Sequence, residues 1–286
     1  MAKMDDGSPD WDAELQVYEP HRAGLPALKP YFRDLFGRLE FAAEFSRAEV
    51  KASNSQTVFG QLWLVLNPLL LSLVYYILVN LLSGKSGGLS SLGHIVGGIF
   101  IFYYFSGSVA TGAGSVTGGG RLILNMAFPR LLMPVAAVRT AFIRFLPTVP
   151  VYLVIRMLAG GKWTFTMLLG VVFLGFITLF NLGMAALMAT VQVYFRDTMS
   201  FLPYFLRIWL YLSPILWFPE AAPKHFAKFM FLNPLYSLIG GWTDLTLLGK
   251  MPSPSVWVGA ATWSVVALIG GSLVFLSRER DFAVRI

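Results

Sequence analysis

Six long apolar runs constrain the fold of this chain more than any other feature. Each holds 18 residues or more, close to the length at which a helix crosses a bilayer core of roughly 30 Å. The runs lie at 62–82, 92–116, 131–158, 165–193, 201–218 and 256–276. Only 13% of the residues are charged, whereas a soluble domain carries about 25%. The pattern predicts an all-α membrane protein with six transmembrane helices.

A seventh apolar stretch, 226–248, is interrupted by Pro234, a glycine pair and Asp244. If only six runs cross, the loop cations divide into 13 on the side of both termini and five on the other side. Cytoplasmic loops carry the excess of Lys and Arg, so this arrangement agrees with the positive-inside rule. We therefore expect a multi-pass protein of the plasma membrane with both termini in the cytoplasm. The segment 219–252 is predicted to re-enter the membrane from outside without crossing it.

The chain before the first run divides into two parts. Residues 1–30 hold four prolines and several acids, and we expect an irregular cytoplasmic tail. Residues 31–55 place apolar side chains such as Phe32 and Leu35 on one stripe and charges beside it, which predicts an amphipathic gate helix in the membrane interface. The alternative is a soluble helix packed on a partner. Residues 56–286 are then the six-span transmembrane domain.

Several kinds of chemistry are absent from the apolar region. No Asp or Glu occurs between residues 50 and 196, so most spans lack the acidic relay of a proton-coupled carrier and the carboxylate pair of a glycosidase. The chain has no cysteine and three scattered histidines. The motif SGKS at 83–86 lacks the first glycine of a phosphate-binding loop, since position 79 is Val79. We expect no catalytic residue, metal, cofactor or nucleic acid on this chain.

Three of the arginines inside the predicted spans are candidates for a functional role, namely Arg139, Arg144 and Arg207. An arginine at the centre of a membrane helix costs about 2.5–3.5 kcal/mol, so each should face the protein interior or extend to the interface. One interpretation is that these side chains bind backbone carbonyls or membrane lipids. The sharper hypothesis is that they receive, with Arg130, the anionic lipid-pyrophosphate headgroup of a substrate that enters from the inner leaflet.

Aromatic residues are frequent in the same spans. Many such residues form interfacial belts or pack between helices. Aromatic faces can also stack on the CH faces of sugars with few hydrogen bonds, and such a surface would let a polysaccharide slide. The candidates for a glycan path are Tyr75, Tyr76, Phe102, Tyr103, Trp209, Tyr211 and Trp217.

Short motifs along the chain resemble, in the expected order, the permease subunit of ABC transporters that export polysaccharides. They are QTVFGQLW at 56–63, LNPLL at 66–70, LI at 122–123 with FPR at 128–130, FRD at 195–197, SPIL at 213–216 and NPL at 233–235. The matches extend from about residue 31 to 286 and look most similar to the actinobacterial exporters of lipid-linked galactan and to O-antigen exporters. One departure is Leu124-Asn125, where the family often has a lysine, so that basic contact is not carried over.

The resemblance implies a homodimer with the channel between its protomers and a separate cytoplasmic ABC ATPase that binds ATP and Mg²⁺. The cargo implied is a polyprenyl-pyrophosphate-linked polysaccharide, with galactan as the specific expectation. It also implies that the loop around 118–130 and a second loop contact the ATPase. The coupling residues carried over are Leu122, Ile123, Phe128, Pro129, Arg130, Arg196 and Asp197.

Three other functions stay open at this point. An exporter of the same fold could carry small drugs or lipids, which copurified lipid-linked glycan would distinguish. A membrane-embedded enzyme that modifies glycans would form product without a partner. A structural scaffold would show no dependence on an ATPase.

Overall fold

The computed structural model describes residues 24–53, 57–84, 88–161, 163–218 and 229–286. Within these ranges the chain is almost wholly helical and has no β-strand. The predicted all-α membrane class is therefore confirmed. Most of the predicted tail and residues 219–228 of the predicted re-entrant segment lie outside the described residues.

The predicted gate helix at 31–55 is two helices, α1 (Leu28–Gly37) and α2 (Leu39–Ser53). The break falls at Arg38, whose backbone leaves the helical region with φ −114° and ψ 19°. Its side chain is held there on both sides: Nε donates to Asp34 at 2.8 Å and Nη1 donates to the carbonyl of Ala127 at 2.9 Å. Because Ala127 is distant in sequence, the break at Arg38 cannot be predicted from the local periodicity of residues 31–55.

Five helical stretches in the described ranges are long and apolar enough to cross a membrane. They coincide with predicted runs one to four and six. The third stretch is divided at Leu146 and Pro147 into α6 and α7. A proline inside a helix breaks it, because its ring clashes with the carbonyl one turn earlier in the chain and its nitrogen cannot donate a hydrogen bond. The main helices are α3 (Trp63–Ser83), α4 (Gly88–Gly118), α6 (Leu132–Phe145), α7 (Thr148–Leu158), α8 (Gly170–Tyr194) and α11 (Pro254–Arg278).

The predicted fifth run is the exception. Its helix, α9 (Thr198–Leu212), holds 15 residues and is about 22 Å long, which is shorter than a bilayer core. The helix ends because Pro214 disfavours a helical conformation at the residue before it, and Ser213 is extended with φ −96° and ψ 152°. The prediction of a helix through residue 218 is wrong, and the count of six spans stays a prediction.

The segment before α11 forms a short helix, α10 (Pro234–Thr243), continued by a π-helical turn at Asp244–Leu248. Asn233 caps its start by accepting from the backbone N–H of Leu235 at 3.1 Å. Together these 15 residues are too short to cross a bilayer as a helix. The broken helices predicted here are thus present in the described part, while their position in a membrane stays a prediction.

Helix α4 lies at the centre of the bundle and packs against α3, α6 and α8, and α8 packs in turn against α11. The closest approach is between Gly183 of α8 and Gly271 of α11, where an added Cβ atom would lie 2.0 Å from a backbone oxygen of the other helix. Small residues at such crossings permit the backbone contact that holds membrane helices together.

Both chain segments that flank the bundle lie at one end of it, here called the basal end. It carries α1, α2, the short helix α5 (Gly120–Asn125) and the C-terminal segment, which consists of a 3₁₀ turn at Glu279–Asp281 and α12 (Phe282–Arg285). The opposite end carries α10, the π-helical turn that continues it, and residues 163–169. Thr166 donates to the carbonyl of Gly249, which directly follows the turn, at 3.2 Å.

Candidate functional site

Beyond its exposed first turn, helix α4 is buried except for one stripe, which begins at Tyr103 and is open to the surroundings. The exposed and half-exposed positions recur every three or four residues, so they share a face of the helix. Their side chains are small or polar, unlike the leucines and valines exposed on α3. The stripe consists of Tyr103, Ser106, Gly107, Ala110, Thr111, Gly114, Ser115, Thr117 and Gly118.

The serine and threonine hydroxyls of this stripe donate to their own helix. Thr111 donates to the carbonyl of Gly107 at 2.6 Å and Ser115 donates to the carbonyl of Gly112 at 2.7 Å. Ser106 and Thr117 make the same kind of bond at 3.4 and 3.3 Å. A hydroxyl satisfied in this way keeps lone pairs that accept weakly from a passing donor. The stripe is therefore polar but offers few strong anchoring groups.

Three open clefts lie along this stripe and form what is here called the α4 groove. The Trp63 cleft has a volume of about 280 Å³, the Tyr75 cleft about 640 Å³ and the Glu49 cleft about 460 Å³. Adjacent clefts share lining residues: Tyr103 and Gly107 line the first two, and Ala110 lines the second and third. The three clefts therefore adjoin one another along α4, from its middle to its basal end at Gly118.

The Tyr75 cleft joins predicted glycan-path residues with a predicted arginine. The hydroxyls of Tyr75 and Tyr211 are 3.2 Å apart, and their rings meet edge to face at 6.1 Å. Arg207 lines the same cleft from α9. Phe102 and Tyr103 complete the aromatic wall. Four of the seven aromatic candidates and one arginine thus lie around a single cleft.

Arg144 lines the Trp63 cleft from α6, beside Trp63, Asn67 and Tyr103. Its Nη2 lies 3.8 Å from Oε1 of Glu49 on α2, and the other Glu49 oxygen accepts from the hydroxyl of Thr140 at 3.1 Å. Both charged side chains are about one third exposed, at 30% for Arg144 and 37% for Glu49. Positive charge therefore borders two clefts of the groove, from Arg144 and Arg207.

The other predicted site residues lie elsewhere. Arg139 is half-buried on α6 and does not line any of the three clefts. Trp209 packs against Phe105 and donates from its indole nitrogen to Asn233 at 2.8 Å, so it fixes the start of α10. The remaining two aromatic candidates donate to backbone carbonyls, Tyr76 to Gly88 at 3.3 Å and Trp217 to Tyr211 at 3.2 Å.

A buried junction at the basal end connects α1, the loop after α5 and the C-terminal segment. Glu279 is its centre: one carboxylate oxygen accepts from the backbone N–H of Arg130 at 2.7 Å, and the Arg130 guanidinium donates to the Glu279 carbonyl. Tyr31 of α1 lies beside the same carboxylate, and its hydroxyl accepts from the N–H of Leu131 at 3.3 Å. Burial, reinforced by Glu279, raises the pKa of Tyr31, so its hydroxyl stays protonated.

The C-terminal segment also reaches the loop between α8 and α9. The hydroxyl of Tyr194 donates to Asp281 at 2.8 Å, and the Arg285 guanidinium lies 4.3 Å from the centre of the Tyr194 ring. On its other side, Ile286 packs so closely on Gly120 that a Cβ atom there would lie 2.5 Å away. The C-terminal segment therefore holds both basal loops in fixed relation to each other.

The predicted coupling residues divide between this junction and the surface. Ile123 and Pro129 are buried, Leu122 is half-buried, and Phe128 packs against Phe41 of α2 with ring centres 5.4 Å apart and ring planes tilted by 45°. On the second loop, Arg196 and Asp197 are exposed. The apolar coupling residues thus face α2 and the bundle, and the second loop presents the outward contacts.

Several residues of these sites were not predicted from the sequence. Met126 and Phe195 are exposed at 51% and 68% on the two basal loops, and a large apolar side chain at a predicted loop was the available signal. Glu279 lies just after the last apolar run and Glu49 lies in the predicted amphipathic helix, so both acids carry a signal in the sequence. Arg156, which is 1% exposed and lies 5.5 Å from the centre of the Trp163 ring, stood within the third run without being singled out.

The fold and the groove define the class: an all-α, multi-pass membrane protein with an open polar groove along its central helix and a jointed set of loops at one end. No family model matches the chain. The chain is similar to the O-antigen export system permease protein RfbA of Klebsiella pneumoniae, with 25% identity over 223 residues, which cover 78% of this chain and 86% of the relative.

A second relative extends this similarity over more of the chain. The O-antigen export system permease protein RfbA of Myxococcus xanthus is 28% identical over 255 residues, which cover 88% of this chain and 97% of the relative. The resemblance to polysaccharide-exporter permeases predicted from the motifs is therefore confirmed.

Proposed function

We propose that this chain is the membrane-spanning subunit of an ATP-driven exporter that moves a polysaccharide linked to a polyprenyl pyrophosphate, with a galactan as the specific cargo. ATP and Mg²⁺ bind to a separate cytoplasmic ABC ATPase. The protein resides in the plasma membrane with its basal end in the cytoplasm. The observation that carries the proposal is the α4 groove, which occurs in a chain similar to named O-antigen export permeases.

The lining of the groove suits a carbohydrate better than lipid. Aromatic rings at Tyr103 and Tyr211, which are 38% and 45% exposed, offer flat faces to the CH groups of a sugar ring, while Tyr75 and Phe102 are buried behind them. The hydroxyls at Thr111 and Ser115 accept weakly from sugar hydroxyls, because they already donate to their own backbone. Many weak contacts hold a chain in the groove without fixing it at one position, as transport of a polymer requires.

The open side of the groove supports a pair of chains. A polysaccharide crossing the bilayer needs a polar conduit closed against lipid, because unsatisfied polar groups in hydrocarbon cost several kcal/mol each. One chain supplies a groove that is open along its length. In our proposal a second copy of this chain faces the first, and the two grooves enclose the conduit.

The two arginines of the groove suit the headgroup of the substrate. Arg144 and Arg207 each line a cleft while remaining partly exposed, so an anion can reach them. A guanidinium binds phosphate oxygens through paired, charge-assisted hydrogen bonds. In the proposed cycle the pyrophosphate enters from the basal end and meets these two side chains on its way along the groove.

The basal loops suit the ATPase. Met126, Phe195, Arg196 and Asp197 present apolar and charged groups outward on two loops that the C-terminal segment holds together. Movement of the docked ATPase would pass through Phe128 to Phe41 on α2 and through Arg130 to Tyr31 on α1. The N-terminal helices then move as the gate of the groove.

The test is export of lipid-linked polysaccharide by cells in which the chain, with its ATPase, carries Arg144→Gln or Arg207→Gln. Loss of a charge-assisted contact is worth about 1.5–3 kcal/mol, so we expect export to fall about tenfold or more with each variant. The matched control is Arg47→Gln, because Arg47 pairs with Glu44 on an exposed face of α2. Export within twofold of the unmodified chain for both groove variants would contradict the proposal.

A further inference from the structure

Glu49 is the one carboxylate that the described residues place in the α4 groove. It projects from α2, the helix that lies beside α6 at the basal end, and it lines the Glu49 cleft with Thr111 and Gly114. Its carboxylate points to Arg144, which lines the adjoining part of the groove. An acid in a path for an anionic headgroup requires a physical explanation, because like charges repel.

The contact between Glu49 and Arg144 is loose. At 3.8 Å the two atoms are too far apart for a hydrogen bond, and both side chains are about one third exposed. An ion pair of this kind contributes little to stability, since water competes for both partners. The Nε of Arg144 is buried and has no hydrogen-bond partner among the described residues. Arg144 is therefore held near an anion without being saturated by it.

We infer that Glu49 is an internal stand-in for the phosphate of the substrate, and that a lipid-borne phosphate displaces it from Arg144. This inference rests on the proposed function and adds a way in which substrate binding would control the position of α2. A pyrophosphate carries more charge than one carboxylate and can bind the guanidinium through two oxygens at once. Glu49 then loses its counter-charge and is repelled by the phosphate, which drives α2 away from α6.

Displacement of Glu49 from Arg144 would couple binding of the substrate phosphate to movement of α2. Glu49 contacts α6 through two residues of the described part, Arg144 and Thr140, so releasing the carboxylate leaves the α2–α6 contact to apolar packing. The helix α2 also carries Phe41, which packs against Phe128 of the basal loop. Arrival of a phosphate headgroup in the groove is thereby transmitted to the loop that faces the ATPase.

The variant Glu49→Gln tests the inference. It removes the charge, while its amide oxygen can still accept from Thr140. Polyprenyl pyrophosphate binding to the full chain is measured in nanodiscs of zwitterionic lipid, with inorganic pyrophosphate as a second ligand. Removing a competing ion pair of this exposure should tighten lipid binding about threefold to fivefold. The control Glu44→Gln changes the same charge on the same helix, away from the groove, and should leave binding unchanged.

A second measurement reads the movement of α2. The chain has no cysteine, so spin labels can be placed specifically through Lys51→Cys and Leu158→Cys, both at exposed positions on α2 and α7. Polyprenyl pyrophosphate should lengthen the distance between the labels in the unmodified chain. In Glu49→Gln the distance should already be longer before lipid is added and should change less.

The outcomes separate the inference from the proposed function. If Arg144→Gln weakens lipid binding but Glu49→Gln binds no more tightly than Glu44→Gln, the stand-in role is overturned and the headgroup site stands. If Arg144→Gln leaves lipid binding unchanged, the headgroup site itself fails. Tighter binding of inorganic pyrophosphate alone would overturn the assignment to a lipid-borne phosphate.

Discussion

Glycine occurs on two faces of α4, one packed against other helices and one open to the groove. On the packing face, Gly97, Gly98 and Gly112 lie so close to other helices that a Cβ atom would be 2.5–3.0 Å from its neighbour. On the groove face, the nearest atom to such a Cβ at Gly107 or Gly114 is 3.7 Å away. Glycine serves close packing on one face and open space on the other. A substitution should therefore reduce stability on the packing face and export on the groove face.

Two adjacent tyrosines give the largest expected contrast. Tyr104 is 1% exposed, stacks on Phe145 at 5.4 Å and donates to Thr178 at 3.0 Å. Tyr104→Ala should reduce the free energy of unfolding by about 3 kcal/mol, mostly through the cavity it leaves. Tyr103 lines two clefts of the groove, so Tyr103→Ala should leave stability nearly unchanged and lower export several-fold. Thermal unfolding in detergent and export in cells measure the two effects. Equal loss of stability in both variants would contradict the division into two faces.

A pair of glycines sharpens the same comparison. A Cβ atom at Gly112 would lie 2.5 Å from the Cβ of Ala185 and 2.8 Å from its Cα, so Gly112→Val forces α4 and α8 apart. We expect a cost of about 2–3 kcal/mol in unfolding free energy, typical of an overpacked core. Gly114→Val meets only the end of Met199 at 3.7 Å and should fold normally while narrowing the Glu49 cleft. If Gly112→Val melts at the same temperature as the unmodified chain, α8 can shift away from α4 at no cost, and the packing face of α4 is not closely packed as described.

The buried junction at the basal end should respond less in stability than in coupling. Glu279→Gln keeps an acceptor for the Arg130 N–H but removes the charge beside Arg130 and Tyr31, and we expect a loss of about 1 kcal/mol, the difference between a charged and a neutral buried hydrogen bond. The loosened junction should also reduce export per ATP hydrolysed by the proposed partner. Glu40→Gln, at an exposed position of α2, is the matched control. If export per ATP is unchanged in Glu279→Gln, the junction has a structural role alone.

The smallest effect is expected from a hydroxyl of the groove. Thr111→Val keeps nearly the same volume and removes a hydroxyl that donates mainly to its own helix, at 2.6 Å, with a longer contact of 3.5 Å to the carbonyl of Ala137 on α6. Unfolding free energy should change by less than about 0.5 kcal/mol, since a surface substitution away from packed contacts has little effect. Export should fall about twofold because one weak acceptor is lost from the path. A tenfold loss would mean that Thr111 binds the substrate strongly, against the interpretation of a weakly binding surface.

Composition and run length predict much of the fold. The runs around α3, α4, α8 and α11 were placed within a few residues, because a membrane helix of about 20 apolar residues is set by bilayer thickness. Apolarity alone predicts a helix through residue 218, whereas α9 ends at Leu212 because Pro214 restricts the backbone of the residue before it. The break at Arg38 depends on the distant carbonyl of Ala127, so no local pattern contains it.

The candidate site was predictable only in part, for a reason peculiar to membranes. Lipid and protein interior are equally apolar, so hydropathy does not tell which face of a membrane helix is buried. Tyr75, Tyr103 and Arg207 were named from residue type, and the structure brings them to one cleft. Trp209 was named on the same grounds and packs instead against Phe105 and Asn233. Which aromatic faces the groove depends on helix rotation, and that is decided by packing.

The hydroxyls that donate to their own helix have a further consequence for transport. Each sugar unit in the proposed conduit would exchange one weak contact for another of nearly the same energy as it advances. The friction of such a wall is low and depends little on which sugar passes. The rate of transport would then be set by the rate of ATP hydrolysis, and the identity of the exported polysaccharide by the enzymes that synthesise it. A conduit of this kind tolerates polymers of mixed sequence and unequal length.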